Sequence, residues 1–172
     1  MRKVIMLGFA SLLSAADLSQ AIEIPDAKAI LIKDALPTPK EYKMPSGCIS
    51  SDPKSIARGE FIFHFLNTKE AKKTPPEGIA KTLANGKEKQ LGNCVACHNI
   101  EGAIGYGNIG PDLTNYKEYF YDSGVRDAQF IYQKIAEPRT DNPASAMTVN
   151  LANGLMSESE VCDLVSYIVA PK

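Results

Sequence analysis

Cys94-Val95-Ala96-Cys97-His98 is the stretch that decides the fold of this 172-residue chain. The pattern C-x-x-C-H is the attachment signature of a c-type haem. Two cysteines three residues apart on a tight helical turn can form thioethers with the two vinyl groups of one porphyrin. The next histidine then points its ring at the iron. We therefore expect Cys94 and Cys97 to tether one haem c, with His98 as the proximal ligand of the iron.

Three other chemistries could use the same residues. A zinc site needs four ligands, so Cys48 or Cys162 would have to join the pair, although neither belongs to a second C-x-x-C. A thioredoxin-like redox pair needs a strand–helix–strand context, which the sequence does not show. A plain disulfide between the two motif cysteines leaves the histidine unexplained.

A second axial ligand should come from a methionine, because histidine–methionine iron suits electron transfer. Met147 lies in a polar loop after the motif and is the preferred distal ligand, with Met156 as the runner-up. Met44 precedes the motif in a proline-rich segment. His64 is the other possible nitrogen ligand. Any of the methionines could instead fill the core.

The proximal histidine should be held by a second group, because a ligating imidazole usually donates its other N–H to a carbonyl or carboxylate. A glycine-rich stretch, 102–110, follows the motif and leads to Pro111. The Pro111 carbonyl is the predicted acceptor. The alternative is an ordinary turn proline.

The first residues have the layout of a secretory signal peptide. A positive start, Met1-Arg2-Lys3, precedes an apolar run, 4–13, and small residues up to Ala21. We expect cleavage after Ala21, with Ala16 as the alternative, and export to the periplasm. A buried helix or an uncleaved anchor is the other interpretation. No later apolar stretch is long enough to span a membrane, so none is expected in the mature chain.

The rest of the chain divides in two. Residues 22–50 carry four prolines and are expected to form an irregular extension on the surface of the domain. The domain proper, 51–172, is predicted to be all-α. Helices are expected from Pro53 to about residue 67, more weakly over 79–91, and over 127–136. Gly59 could mark a close approach of another backbone.

The last helix has the strongest pattern. Ser157 and Glu160 form a capping box. An apolar face follows at i, i+3, i+4 and i+7, formed by Val161, Leu164, Val165 and Ile168.

Composition excludes several function classes. The formal charge is −1, without the clustered basic surface that nucleic-acid binding needs. The Walker loop of nucleotide-binding proteins and the GxSxG motif of hydrolases are absent from the sequence.

The order of these features resembles class I cytochrome c. Within it, the sequence is similar to the SoxX family, the monohaem subunits of bacterial thiosulfate-oxidising complexes. The resemblance runs from about residue 52 to the end and rests on Gly92-Asn93-Cys94-Val95-Ala96-Cys97-His98, Gly107-Asn108-Ile109-Gly110-Pro111 and Asn142-Pro143-Ala144-Ser145-Ala146-Met147. Thr148 departs from the family, which usually has proline there.

The resemblance implies a partner and a task. It implies a heterodimer with a SoxA-like haem protein, which couples thiosulfate oxidatively to a cysteine of a carrier protein as an S-thiosulfotransferase. The catalytic cysteine then belongs to the partner, and this chain passes electrons to a further cytochrome. A free-standing periplasmic electron shuttle is the alternative. A haem sensor with an open sixth position is a third hypothesis.

Two cysteines remain outside the motif. The first and last helices cross in class I cytochromes, so a Cys48–Cys162 disulfide would tie the extension to that crossing. Two free buried thiols, or a bridge to a partner, are equally compatible with the sequence.

Overall fold

Three α-helices carry the described part of the fold: α1 Pro53–His64, α2 Ala128–Ala136 and α3 Glu158–Ile168. The computed structural model describes residues 37–64, 74–79, 82, 86 and 93–172. Shorter helical turns lie at Cys94–Ala96, Lys117–Asp122 and Pro138–Thr140, and these residues contain no β-strand. The all-α prediction is confirmed. None of the described helices is both long and apolar enough to cross a membrane.

Some predictions fall outside the described residues. The signal peptide over 1–21, the first part of the extension, the end of the first helix beyond His64 and nearly all of the helix predicted for 79–91 lie there.

Local sequence sets the ends of α2 and α3. The Asp127 carboxylate accepts a hydrogen bond from the Phe130 N–H at 2.7 Å and caps α2. The predicted capping box at α3 is present: the Glu160 N–H donates to the Ser157 hydroxyl, and the Ser157 N–H donates to the Glu160 carboxylate. The predicted apolar face of α3 is buried in the core.

Helices α1 and α3 cross at Gly59, where the backbones approach closely. A Cβ atom at this position would lie 2.1 Å from the Asp163 carbonyl oxygen and 2.7 Å from the Tyr167 Cβ. Real Cβ atoms do not come that close to another heavy atom. The expectation that another backbone approaches Gly59 is confirmed.

Polar side chains flank the crossing. The Arg58 guanidinium bonds both carboxylate oxygens of Asp163, at 2.6 and 2.9 Å, and the Ser55 hydroxyl donates to the same group. This arrangement raises the pKa of Arg58, chiefly through the hydrogen bond to Asp163. The buried carboxylate is therefore compensated by a cation and a hydroxyl.

A disulfide joins Cys48 to Cys162. It links the segment before α1 to the first half of α3, 114 residues further along the chain. The Ser166 hydroxyl reinforces this junction, since it donates to the Cys162 carbonyl at 2.8 Å and accepts from the Ser50 N–H at 3.0 Å. Of the arrangements that the sequence allowed, the structure has the intrachain bridge.

Residues 37–50, called the arm below, contain no helix or strand. The arm belongs to the same compact unit as the helices, 36–172. Two glutamine side chains of α2 hold it: Gln129 bonds the backbone of Tyr42 and Met44, and Gln133 accepts from the Tyr42 N–H at 2.6 Å.

Candidate functional site

The C-x-x-C-H motif forms a tight 3₁₀ turn, Cys94–Ala96. The Cys94 carbonyl accepts hydrogen bonds from the N–H groups of Cys97 at 3.1 Å and His98 at 2.9 Å. Val95, in the middle of the turn, is buried in the core. The turn is therefore anchored by one apolar side chain, while Cys94, Cys97 and His98 are only partly buried.

The glycine-rich loop, 102–110, lies directly against this turn. The Gly107 N–H donates to the Val95 carbonyl and the Gly110 N–H donates to the Cys97 carbonyl, both at 2.9 Å. A Cβ atom on Gly107 would lie 1.9 Å from the Ala96 carbonyl oxygen. Glycine is thus required at this contact for lack of space.

The imidazole of His98 is held on one face and at one nitrogen. A Cβ atom on Gly110 would lie 2.3 Å from His98 Cε1, so the ring packs on the bare backbone of that glycine. His98 Nδ1 lies 2.8 Å from the Pro111 carbonyl oxygen. This contact makes Nδ1 the donor nitrogen and leaves Nε2 as the nitrogen with a free lone pair.

The segment after Pro111 is fixed by Asn99, the residue that follows the histidine. The side-chain amide of Asn99 donates to Asp112 and to Thr114, both at 3.0 Å. The main-chain carbonyl of Asn99 accepts from the Leu113 N–H. The Thr114 N–H also donates to the Asp112 carboxylate at 2.7 Å. Hydrogen bonds from Thr114, and secondly from Asn99, hold the pKa of Asp112 below its usual range. The proline carbonyl is therefore positioned from both sides.

The two motif cysteines are free, whereas Cys48 and Cys162 are bonded to each other. Desolvation of the Cys94 thiol raises its pKa to about 12, which favours the protonated form. No group of three or more potential metal-ligating side chains occurs in the described part of the chain. Because Cys48 and Cys162 are bonded to each other, neither can complete a four-ligand zinc site with the motif cysteines.

The candidate distal ligands lie in different surroundings. Met147 is half-buried and packs against the core, in the loop after α2. Met156 is 4 % exposed and belongs to the core itself, immediately before α3. Met44 lies in the arm. His64 Nε2 is 2.6 Å from the Tyr167 hydroxyl at the helix crossing, and burial lowers the pKa of this histidine.

One element was missed by the sequence interpretation. Lys117–Asp122 forms a turn of π-helix, and the ring of Tyr116, which precedes it, lies tilted against that of Phe120 with centroids 4.9 Å apart. Its aromatic composition is compatible with an ordinary helix, so the sequence held no signal for the wider turn. Turns of this kind are rare and occur often at functional sites.

With this geometry, comparison with known proteins identifies the class. The sequence profile of the cytochrome c family matches residues 83–171, more than half of the chain. The chain belongs to the cytochrome c family, and its helices and motif are those of a class I c-type cytochrome. It is a haem protein of electron transfer.

A relative in Aquifex aeolicus (strain VF5), named only as an uncharacterized lipoprotein, is 35 % identical over 82 residues. The similarity covers 47 % of this chain and 37 % of the relative. The chain therefore matches well under half of that protein, and the relative's name states no substrate or partner.

The residues present fit the covalent haem c that the family carries. The motif supplies two free thiols and a histidine with one available nitrogen. Beside them, the glycine-rich loop exposes the large apolar side chains Ile104, Tyr106 and Ile109. A flat, mostly apolar group attached at the motif would find both its ligands and an apolar neighbour surface.

Proposed function

We propose that this chain is the electron-transferring, SoxX-like subunit of a periplasmic thiosulfate-oxidising complex. The observation that carries electron transfer is the fixed imidazole of His98, which packs on Gly110 and is hydrogen-bonded through Nδ1 to Pro111. The same Gly-Pro run belongs to the stretch, 107–111, on which the SoxX resemblance rests. One motif thus supports both the chemistry and the particular family.

In this proposal Cys94 and Cys97 tether the haem and His98 supplies the proximal nitrogen. The bound haem provides a single-electron redox couple. Met147 is the distal ligand, because its thioether is half-buried on a loop, where it can turn toward a ligand. Met156 is enclosed by the core, and His64 is engaged with Tyr167.

Replacement of Met147 by alanine tests the distal ligand. We expect the reduction potential to fall by on the order of 0.1 V, because a thioether opposite histidine raises the potential. The absorption spectrum of the ferric protein should lose its methionine-ligation band. Potentiometric titration of the purified holoprotein measures the first effect and optical spectroscopy the second.

Met156→Ala is the matched control. It should lower stability by ~2–5 kcal/mol as a core truncation, with the potential almost unchanged. If the potential shifts with Met156→Ala and not with Met147→Ala, the assignment of the ligand is wrong. If neither substitution changes the spectrum, neither methionine is the ligand, and the sixth position is either open, as a sensor would have it, or taken by another side chain such as His64.

The sulfur chemistry belongs to the partner in this proposal. A carrier thiol and thiosulfate form a cysteine S-thiosulfonate, with one S–S bond made, one proton released and two electrons removed. A protein with one haem accepts these electrons one at a time and passes each to a further cytochrome. The exposed apolar residues beside the motif, such as Ile109, favour a contact of this kind.

Export to the periplasm is part of the same proposal. It is supported by the signal-like layout of residues 1–21 and by the disulfide, which forms and persists in oxidising compartments. The Aquifex relative is named a lipoprotein, which is compatible with this location.

Recovery of the tagged holoprotein from its native periplasm tests the partnership. We expect a second c-type cytochrome to copurify in equal amount, and the pair to transfer sulfur from thiosulfate to a carrier cysteine. Recovery of a lone monohaem protein, at low salt after gentle lysis, would reject the complex. A free-standing electron shuttle would then be the function.

A further inference from the structure

The loop that carries Met147 is anchored by hydrogen bonds at both ends. This segment, 137–149, runs from the end of α2 to the buried Asn150 and is called the methionine loop below. Only two residues lie between Met147 and Asn150, so the second point of attachment is close to Met147 in the chain.

Glu137 and Arg139 hold the first end. The Glu137 carboxylate is fully buried and accepts from the guanidinium of Arg139 at 2.8 and 2.7 Å. The hydrogen bond to Arg139 is the main cause of a lowered pKa at Glu137, so the carboxylate stays ionised. Arg139 also donates to the Pro37 carbonyl of the arm at 2.8 Å.

Asn150 holds the second end through both its backbone and its side chain. Its side-chain amide donates to the Ile135 carbonyl at 2.6 Å, and its N–H donates to the Ala136 carbonyl at 3.2 Å. Its own carbonyl accepts from the N–H groups of Leu155 and Met156. One residue thus joins the last turn of α2 to the chain that leads into α3.

Of these bonds, only the one to the Ile135 carbonyl depends on the Asn150 side chain. Asn150 is 2 % exposed, so the Ile135 carbonyl that it satisfies is shielded from water. Removing a donor from such a pair leaves the acceptor unsatisfied, which costs more than the bond contributes on average. Between its two ends the methionine loop is held by weaker or more exposed contacts. They are the Lys134–Asp141 ion pair with α2, a turn at Asn142–Ser145 and a long Met147 N–H to Ser145 hydroxyl bond of 3.3 Å.

We propose that Asn150 is a positioning residue, which keeps the methionine loop closed and thereby holds the Met147 thioether in place for the iron. This inference rests on the proposed ligation by Met147. Asn150 does not act on the iron itself. It sets the equilibrium between a closed loop and an open one, in which an external ligand can take the place of the thioether.

Imidazole binding to the ferric holoprotein tests this role. With Asn150→Ala we expect the apparent affinity for imidazole to rise about tenfold, which corresponds to ~1.4 kcal/mol. Asn150→Asp keeps the shape of the side chain but replaces the donor by an acceptor, so it should raise the affinity at least as much. The titration follows the optical spectrum and needs no assay of activity.

Ser166→Ala is the matched control. Its hydroxyl is as buried as Asn150 and donates to the Cys162 carbonyl on α3, away from the methionine loop. It should lower the free energy of unfolding and leave the imidazole affinity unchanged. Equal affinities for the wild type and both Asn150 variants would overturn the inference.

Met147→Ala separates the inference from the function on which it rests. If Met147→Ala raises imidazole affinity and the Asn150 variants do not, the ligand is correct and the positioning role is wrong. If Met147→Ala itself leaves the affinity unchanged, the proposed ligation fails, and the inference fails with it.

Discussion

The free energy of unfolding should fall by about 5 kcal/mol when Cys48 and Cys162 are both replaced by serine. The disulfide closes a loop of 114 residues, and the loss of chain entropy in the unfolded state grows with loop length. The bridge also ties the arm to α3 at the helix crossing. Urea unfolding of the holoprotein, followed by far-ultraviolet circular dichroism, measures the change.

Reduction of the wild type provides a control without substitution. A thiol reductant opens the disulfide but leaves thioether bonds intact, so the reduced protein and the serine variant should unfold at similar urea concentrations. If the free energy of unfolding of the oxidised wild type exceeds that of the reduced protein and of the serine variant by less than ~1 kcal/mol, the disulfide does not have the expected role.

Replacement of Gly59 by alanine should destabilise the protein by about 3 kcal/mol, because α1 and α3 would have to move apart. The added methyl group would meet the Asp163 carbonyl at 2.1 Å, and that oxygen belongs to the backbone and cannot rotate away. The nearby Arg58–Asp163 ion pair would be stretched by the same movement. Thermal or urea unfolding of the holoprotein measures the loss.

Ala57→Gly is the matched comparison for this variant. Ala57 lies on the exposed side of α1, two residues earlier, where glycine should cost ~1 kcal/mol through helix propensity alone. In a loose crossing, Gly59→Ala would therefore stabilise α1 by a similar amount. A stabilised Gly59→Ala variant would show that the close contact does not limit the packing.

The sequence predicted those parts of the fold that local rules determine. The capping box at Ser157, the apolar face of α3 and the close approach at Gly59 each follow from a few neighbouring residues, and the structure confirms all three. The C-x-x-C-H pattern likewise gave the class of protein, because its spacing is dictated by the chemistry of one cofactor.

The remaining features depend on contacts between distant residues. Nothing in the sequence around Gly110 shows that the His98 ring will pack on it, since this contact exists only after the loop folds back. The role of Asn150 could not be predicted either, because its donor groups bond to carbonyl groups at the end of α2, a contact that local sequence does not show. The Cys48–Cys162 connectivity also required the crossing of two helices, which residue spacing cannot supply.

The hydrogen bonds between two glutamines of α2 and the main chain of the arm have an evolutionary consequence. The amides of Gln129 and Gln133 bond to the main chain of Lys40, Tyr42 and Met44, and every residue type other than proline offers the same N–H and C=O groups. The arm can therefore diverge between species while its attachment persists. Natural variation should concentrate in the arm, and purifying selection should act on Gln129 and Gln133, whose side chains bond to it.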